Sequence, residues 1–481
     1  MSSIKKNFFY NLVYQILLII LPLITTPYIS RVLGADGVGV YTYTYTIANY
    51  FMLLAMLGVK NYGNRSVAIV RDEPLRLGKV FWEIYGLQFL CAAISLAAYF
   101  IYICLFETDY QQIAILQGIY VFSGVADISW LFFGLEKFKI TVVRNIIIRL
   151  GSLACVFLFV KTADDLWKYT LIMTLGILLS QTYLWRYVKH LAPWHKPKMP
   201  DILKHLRAEL ILFVPVIAVS LYKMMDKIML KYLSAITQVG FYESSEKVLN
   251  IPLGVITALG TVMLPRMSNM VAKKQVEEGK EYIHNSILFA MFLASGMAFG
   301  IAGIADDFVP LFFGEGYLPC ISLMQAMTPT VLFISWANVI RTQYLIPNKK
   351  DRSYIISVIL GAVVNLIINA LLIPHLAAMG AAIGTICAEG SVCFCQTLMV
   401  RKELEIKHYL KDTVPFLILG TVMYFIIKII SQMISNPVIA LIIEIAIGGS
   451  LYAPTSLIYF FISHRTYAVT MLQQIKHKRG K

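Results

Sequence analysis

Apolar stretches of about twenty residues recur along the whole chain, separated by short polar connectors that carry most of its lysines and arginines. A helix needs ~20 apolar residues to cross a ~30 Å hydrocarbon core. Only helices and closed barrels satisfy their own backbone hydrogen bonds there, and no strand-length alternation competes with the helical reading. Fourteen stretches qualify: 8–30, 40–59, 81–106, 112–134, 141–160, 169–188, 208–232, 240–264, 284–305, 318–340, 354–373, 377–400, 412–432 and 437–463. The first follows Lys5 and Lys6 in the manner of a secretory leader. Pro22-Leu23-Ile24-Thr25-Thr26-Pro27 offers no small-residue cleavage site, so this stretch is read as a span.

Composition sharpens that reading. Of 481 residues, 58% are hydrophobic and only 14% charged, whereas soluble domains are about 25% charged. A cytosolic enzyme, a disordered chain and a secreted disulfide scaffold are thereby excluded. The seven cysteines lie in or beside apolar runs and read as packing residues; Cys393 and Cys395, two apart on a helix, point away from each other. The net charge of +15 is placed asymmetrically. With the amino terminus inside, 33 of the 42 basic residues fall in or at the edges of cytoplasmic segments, and only Arg31, Lys161, Lys168 and Lys231 lie in the opposite loops. This is the positive-inside asymmetry, and it puts both termini in the cytoplasm. The basic excess belongs to topology and to anionic lipid headgroups; no basic module for nucleic acid is present.

The chain also repeats. Val38-Gly39-Val40-Tyr41 opens the second span and Val239-Gly240-Phe241-Tyr242 the eighth, an offset of 201. Asn49 meets Asn250, Arg65 meets Arg266 and Gly78-Lys79 meets Gly279-Lys280 at the same offset, while Ile128-Ser129-Trp130 recurs as Ile334-Ser335-Trp336. Six spans separate the copies, so both insert with one orientation. The predicted fold is an all-α polytopic membrane protein: a six-helix lobe (1–190), a basic connector (191–207), a second six-helix lobe (208–404), then two further helices and a basic cytoplasmic tail (405–481). Parallel repeats of this kind hold substrate at their interface.

Ionisable residues at membrane depth are functional candidates, because a lipid-facing charge there costs several kcal/mol. Lys223, Asp226 and Lys227 form one stripe in span seven; Glu243, Glu246, Lys247 and Asn250 form another in span eight. The stripes suit either a water-filled cavity or ion pairs that lock the two helices. Spans one and two are polar without charge: Asn11 and Gln15, then Tyr41 to Thr46 and Asn49, which predicts a largely neutral lumen in the first lobe. Asp127 and Arg149 fall ~10–12 Å deep on consecutive antiparallel helices and are expected to pair. Glu389 and Glu444 are isolated acids suited to a proton or ion, and Lys428 is placed to snorkel.

Sequence patterns for bond-making chemistry are missing: there is no phosphate-cradling GxxxxGK[ST] loop, no GxSxG elbow and no His/Cys metal spacing. No catalytic residue, metal or cofactor is therefore assigned. The segment from Pro27 to Tyr41, PYISRVLGADGVGVY, with Gly63-Asn64-Arg65 and the Ile128-Ser129-Trp130 element, resembles bacterial O-antigen and capsule repeat-unit flippases. These belong to the multidrug/oligosaccharidyl-lipid/polysaccharide exporter superfamily. The resemblance implies a two-lobe, alternating-access transporter in the bacterial cytoplasmic membrane. Its cargo would be an undecaprenyl-pyrophosphate-linked oligosaccharide moved between leaflets for surface polysaccharide synthesis, with an H⁺ or Na⁺ gradient as the candidate driving force. Membrane lipids would surround it, and polysaccharide polymerase and chain-length proteins are candidate partners.

On that reading Lys223, Lys227, Lys247 and Arg149 would meet phosphate or acidic sugar, with Asn49 and Asn250 as polar contacts. Asp226, Glu243, Glu246, Asp127 and Glu389 would tune those cations or carry a coupling ion. Two other classes compete. A cation-coupled multidrug exporter would favour an acid-rich lumen, and a membrane glycan polymerase or transferase would need a larger outside loop to house its site.

Overall fold

The computed structural model describes residues 2–463, with side chains from Leu21 onward except those of Pro215, Ala218, Tyr222, Val262, Phe461 and Ser463. The side chains of Asn11 and Gln15 and the end of the basic tail lie outside the described residues. Every regular element described is helical, and no strand occurs among the described residues. The order begins α1 (Ser2–Met56), α2 (Val59–Val70), α3 (Pro74–Phe106), α4 (Gln111–Ala126), α5 (Ser129–Gly134) and α6 (Phe138–Phe159). It continues α7 (Leu166–Tyr183), α8 (Val188–Leu191), α9 (Met199–Leu203), α10 (Leu206–Leu233) and α11 (Ile236–Ala272). Then follow α12 (Val276–Phe312), α13 (Pro319–Ile340), α14 (Asp351–Leu376), α15 (Ala378–Val400), α16 (Ile406–Met433) and α17 (Pro437–Ser463).

Ten helical stretches among the described residues are long and apolar enough to cross a membrane, so the chain is a multi-pass membrane protein. The other four apolar stretches read from the sequence are helical as well: two lie in α1, one in α7 and one in α10.

Packing groups the chain into two compact units, Met1–Glu243 and Ser244–Lys481. In the first, α1 is broken at Gly34, whose φ of 67° and ψ of 178° suit glycine and strain any residue with a Cβ. The break brings the two copies of the repeated motif together. A Cβ on Gly39 would overlap the Ile236 carbonyl, and one on Gly240 would overlap the Ala35 carbonyl. Thr237 Oγ1 donates to Asp36 Oδ1, and these residues are 201 apart, the offset of the repeat itself.

The expected span 112–134 is interrupted at Asp127-Ile128, between α4 and α5. Broken backbone at membrane depth needs partners for the freed carbonyls. Gln88 Nε2 donates to the carbonyls of Gly124 (2.7 Å) and Asp127 (2.9 Å), and Trp185 Nε1 to that of Ala126 (3.0 Å). Gln88 Oε1 accepts from Trp130 Nε1 at 2.9 Å. Trp130 in turn lies against Gly63, where a Cβ would come within 2.5 Å of its ring. Two short motifs far apart in sequence, Gly63-Asn64-Arg65 and Ile128-Ser129-Trp130, thus form one packed joint.

The basic connector is docked on the same unit. Lys204 Nζ lies 2.8 Å and His205 Nε2 3.2 Å from Glu83 Oε2, and Tyr62 Oη lies 2.7 Å from His205 Nδ1. In the second unit α14 and α15 form a close hairpin: a Cβ on Gly361 would come within 2.5 Å of Val392, and one on Gly380 within 2.6 Å of the Leu372 backbone. Small residues allow this approach where lipid supplies no hydrophobic drive between helices. Lys428 does not end free at the surface: it pairs with Asp306 of α12.

Candidate functional site

A polar cavity of about 560 Å³ lies within the first unit, walled by α1, α6 and α7 and by the ends of α2 and α5. Its described charged lining is Lys60, Arg144, Arg149 and Asp127, three cations to one acid. This corrects the neutral lumen expected for the first half of the chain. Lys60 and Arg144 read as connector residues because they stand at span edges. The fold brings both to the cavity, Lys60 with an exposed side chain at the start of α2 beside the α4–α5 break and Arg144 buried two turns into α6.

Arg144 is buried, and its guanidinium is held by neutral oxygens: Nη1 donates to the Ser180 carbonyl (2.8 Å), and Nη2 and Nε donate to Asn145 Oδ1 (2.8 and 3.2 Å). These bonds fix the position and orientation of the guanidinium. Asp127 takes a different partner from the one expected. It lies 3.9 Å from Lys60 and accepts the Ser129 amide at 3.0 Å, while Arg149 stands exposed on the wall of the same cavity. The break between α4 and α5 takes Asp127 out of the register that an unbroken span four would give it.

The alternating Tyr-Thr run is helical, and its residues divide by face. Tyr41 and Tyr45 line the cavity, stacked with centroids 6.0 Å apart; Tyr169 meets Tyr41 edge-on at 4.8 Å, and Tyr120 lies 5.1 Å from Tyr45. Tyr43 points elsewhere and is fully buried, donating to Glu107 Oε2 at 2.9 Å. Asn49 accepts from Tyr120 Oη at 2.8 Å and lies 3.1 Å from Met224 Sδ of α10.

The charged stripes of α10 and α11 meet across the two helices. Lys227 Nζ lies 2.6 Å from Glu243 Oε2, and Tyr242 Oη donates to Asp226 Oδ2 at 2.9 Å. Both contacts run between α10 and α11, and they favour the locking role for Asp226, Lys227 and Glu243. Lys223 is exposed on α10. Glu246 and Lys247, half-buried, and Asn250, exposed, lie on the continuation of α11 in the second unit, and Glu389 is buried on α15. The residues missed by sequence reasoning are Lys60, Arg144 and Tyr169. Arg144 had one available signal: it lies inside the apolar run 141–160.

Comparisons with known proteins bear on this arrangement. A family model described as polysaccharide biosynthesis protein matches residues 4–271. The chain is 23% identical over 406 residues to the "Putative O-antigen transporter" of Escherichia coli (strain K12), a match covering 83% of this chain and 97% of that one. A solved structure of the lipid II flippase MurJ, in an inward closed conformation, superposes with a TM-score of 0.75 at 14% identity, covering 96% of this chain and 100% of that one. An inward-facing multidrug resistance MATE family transporter of the MOP superfamily superposes with a TM-score of 0.59 at 14% identity, covering 82% and 99%. At that identity the two structural likenesses carry the fold.

Proposed function

The chain belongs to the polysaccharide biosynthesis protein family, and from that membership we propose that it is a flippase for lipid-linked oligosaccharide, a transporter rather than an enzyme. The cargo we infer is an undecaprenyl-pyrophosphate-linked repeat unit, carried across the bacterial cytoplasmic membrane by alternating access. In this reading fourteen spans leave both termini in the cytoplasm, two parallel six-helix lobes flank the path, and an H⁺ or Na⁺ gradient supplies the drive.

The observation that carries the proposal is the cavity of the first unit: three cations against one acid, beside a wall of tyrosines, in a chain whose remaining bulk is apolar. A pyrophosphate leaving water loses strong hydration, and guanidinium donors compensate with charge-assisted hydrogen bonds. Tyrosine rings offer flat apolar faces with a hydroxyl at the edge, suited to sugar rings. Arg149, Arg144 and Lys60 would meet the phosphates, with Lys223, Lys247, Asn49 and Asn250 as further polar contacts. Lys227 is already neutralised by Glu243, so that pair and Asp226, Glu246, Asp127 and Glu389 are assigned to tuning or coupling. An acid-rich lumen, which drug cations would need, is the opposite of this charge balance.

The test is leaflet accessibility of a lipid-pyrophosphate oligosaccharide in proteoliposomes. Headgroup is expected to reach the opposite face only when the protein is present. Arg149→Ala removes one charged hydrogen-bonding group, worth about 1.5–3 kcal/mol, so transport at low substrate should fall about 10- to 100-fold. Normal transport by Arg149→Ala and Arg144→Ala would remove the cavity from the path. No movement at all, with insertion demonstrated and a matched donor lipid, would turn the assignment to cation-driven efflux.

A further inference from the structure

Three side chains outside the cavity converge near the amino-terminal ends of α12 and α16. His284 comes from α12; His408 and Asp412 come from α16, one turn apart on one face. His284 Nε2 lies 3.0 Å and His408 Nε2 3.4 Å from the same oxygen, Asp412 Oδ2. One ligand atom from each residue falls within 4.8 Å of the others. Sequence spacing hid the group, because His284 precedes the His408-x₃-Asp412 pair by more than a hundred residues.

We propose that His284, His408 and Asp412 form a binding site for a divalent transition-metal ion of the zinc class, bridging α12 and α16. Ligand bonds to such an ion are about 2.0–2.1 Å. Two ligands subtending 90–110° at the metal are then about 2.9–3.4 Å apart, which matches both imidazole-to-carboxylate separations. The wider imidazole-to-imidazole separation is adjustable, since the His408 side chain is 54% exposed and free to change rotamer.

Two imidazole nitrogens and one carboxylate oxygen suit zinc and its neighbours; calcium and magnesium prefer all-oxygen shells. Three protein ligands leave a position for water. The ring of His284 is fixed in orientation by stacking on Tyr409, with centroids 4.9 Å apart and planes 15° from parallel. The Tyr409 hydroxyl donates in turn to the Lys280 carbonyl at 3.3 Å. Such anchoring lowers the cost of assembling the site. A bound ion would cross-link α16 to α12 and stabilise the second unit by mass action.

The test uses full-length protein in detergent, purified without a polyhistidine tag and titrated with Zn²⁺ against a fluorescent chelator. One equivalent per chain is expected to bind, with a rise in unfolding temperature. Loss of even an outer-shell partner costs about 10- to 100-fold in metal affinity, so His284→Ala and Asp412→Asn should each weaken binding by more than about tenfold. Exposed His408 gives a second variant that should fold normally, and His408→Ala should abolish the Co²⁺ visible absorption seen with the parent. Parental affinity in a His284→Ala/His408→Ala variant would overturn the proposal. So would a monodisperse parent that takes up no Zn²⁺, which would leave the three residues as an ion-pair cluster.

Discussion

Gly39 and Gly240 occupy equivalent places in the two copies of one short motif, and each faces a carbonyl of the other copy's neighbourhood. A methyl group at either position has nowhere to go, because the obstructing atom is backbone. Overpacking of this kind costs about 1–3 kcal/mol. Gly39→Ala and Gly240→Ala should therefore lower the unfolding temperature of the purified protein in a thermal size-exclusion assay. Gly449→Ala is the control: nothing lies within 4 Å of its added Cβ, and it sits in the helical α17. An equal loss in all three variants would assign the effect to glycine replacement in general. The importance of the motif was legible in its repetition. Its physical reason, two backbones in contact, was not, since the offset of 201 residues says only that the positions are equivalent. Arg144 shows the converse: a charge in an apolar run was visible, but only packing against α7 showed which way it turns.

The elements that depart from simple spans do so through side-chain hydrogen bonds. Gln88 supports the α4–α5 break from α3, and Glu83, also on α3, receives the connector through Lys204 and His205. Burial lowers the His205 pKa below its ordinary value of 6.5, outweighing the Glu83 interaction that would raise it. The neutral ring fits both neighbours, with Nε2–H donating to Glu83 and Nδ1 accepting from Tyr62. Where a histidine pKa is depressed by folding, the unfolded or undocked state binds the extra proton. Stability is thus present above 6.5 and is lost as pH falls toward the folded value. Protease cleavage within residues 191–207 should increase from about pH 7.5 to about pH 5.5, and His205→Gln should flatten that dependence. A cleavage rate indifferent to pH in the parent would exclude His205 as the determinant.

At the scale of the whole molecule, charge placement makes a directional claim. In a cysteine-free background, a cysteine at Lys273 should react with an impermeant maleimide only after cells are opened. One at Asp164 should react in intact cells. Labelling in the reverse pattern would invert the topology and place the basic connectors outside. The metal-site proposal belongs to the second unit and is independent of this direction.

What the sequence determined by itself was the helical, multi-pass character and the repeated motif, which depend on composition summed over stretches of about twenty residues or on residue identity at a fixed offset. Hydrophobic transfer is additive over such a stretch, so no partner need be known. Tertiary structure decided what depends on partners: the broken fourth span, Asp127 with Lys60 in place of Arg149, the locking of Lys227 by Glu243, and the gathering of Lys60, Arg144 and Arg149 about one cavity. A charge at membrane depth must find a counter-charge or water, but the requirement does not say which. That choice is made by helix rotation and by breaks of a few residues, and those are set by contacts between segments far apart in the chain.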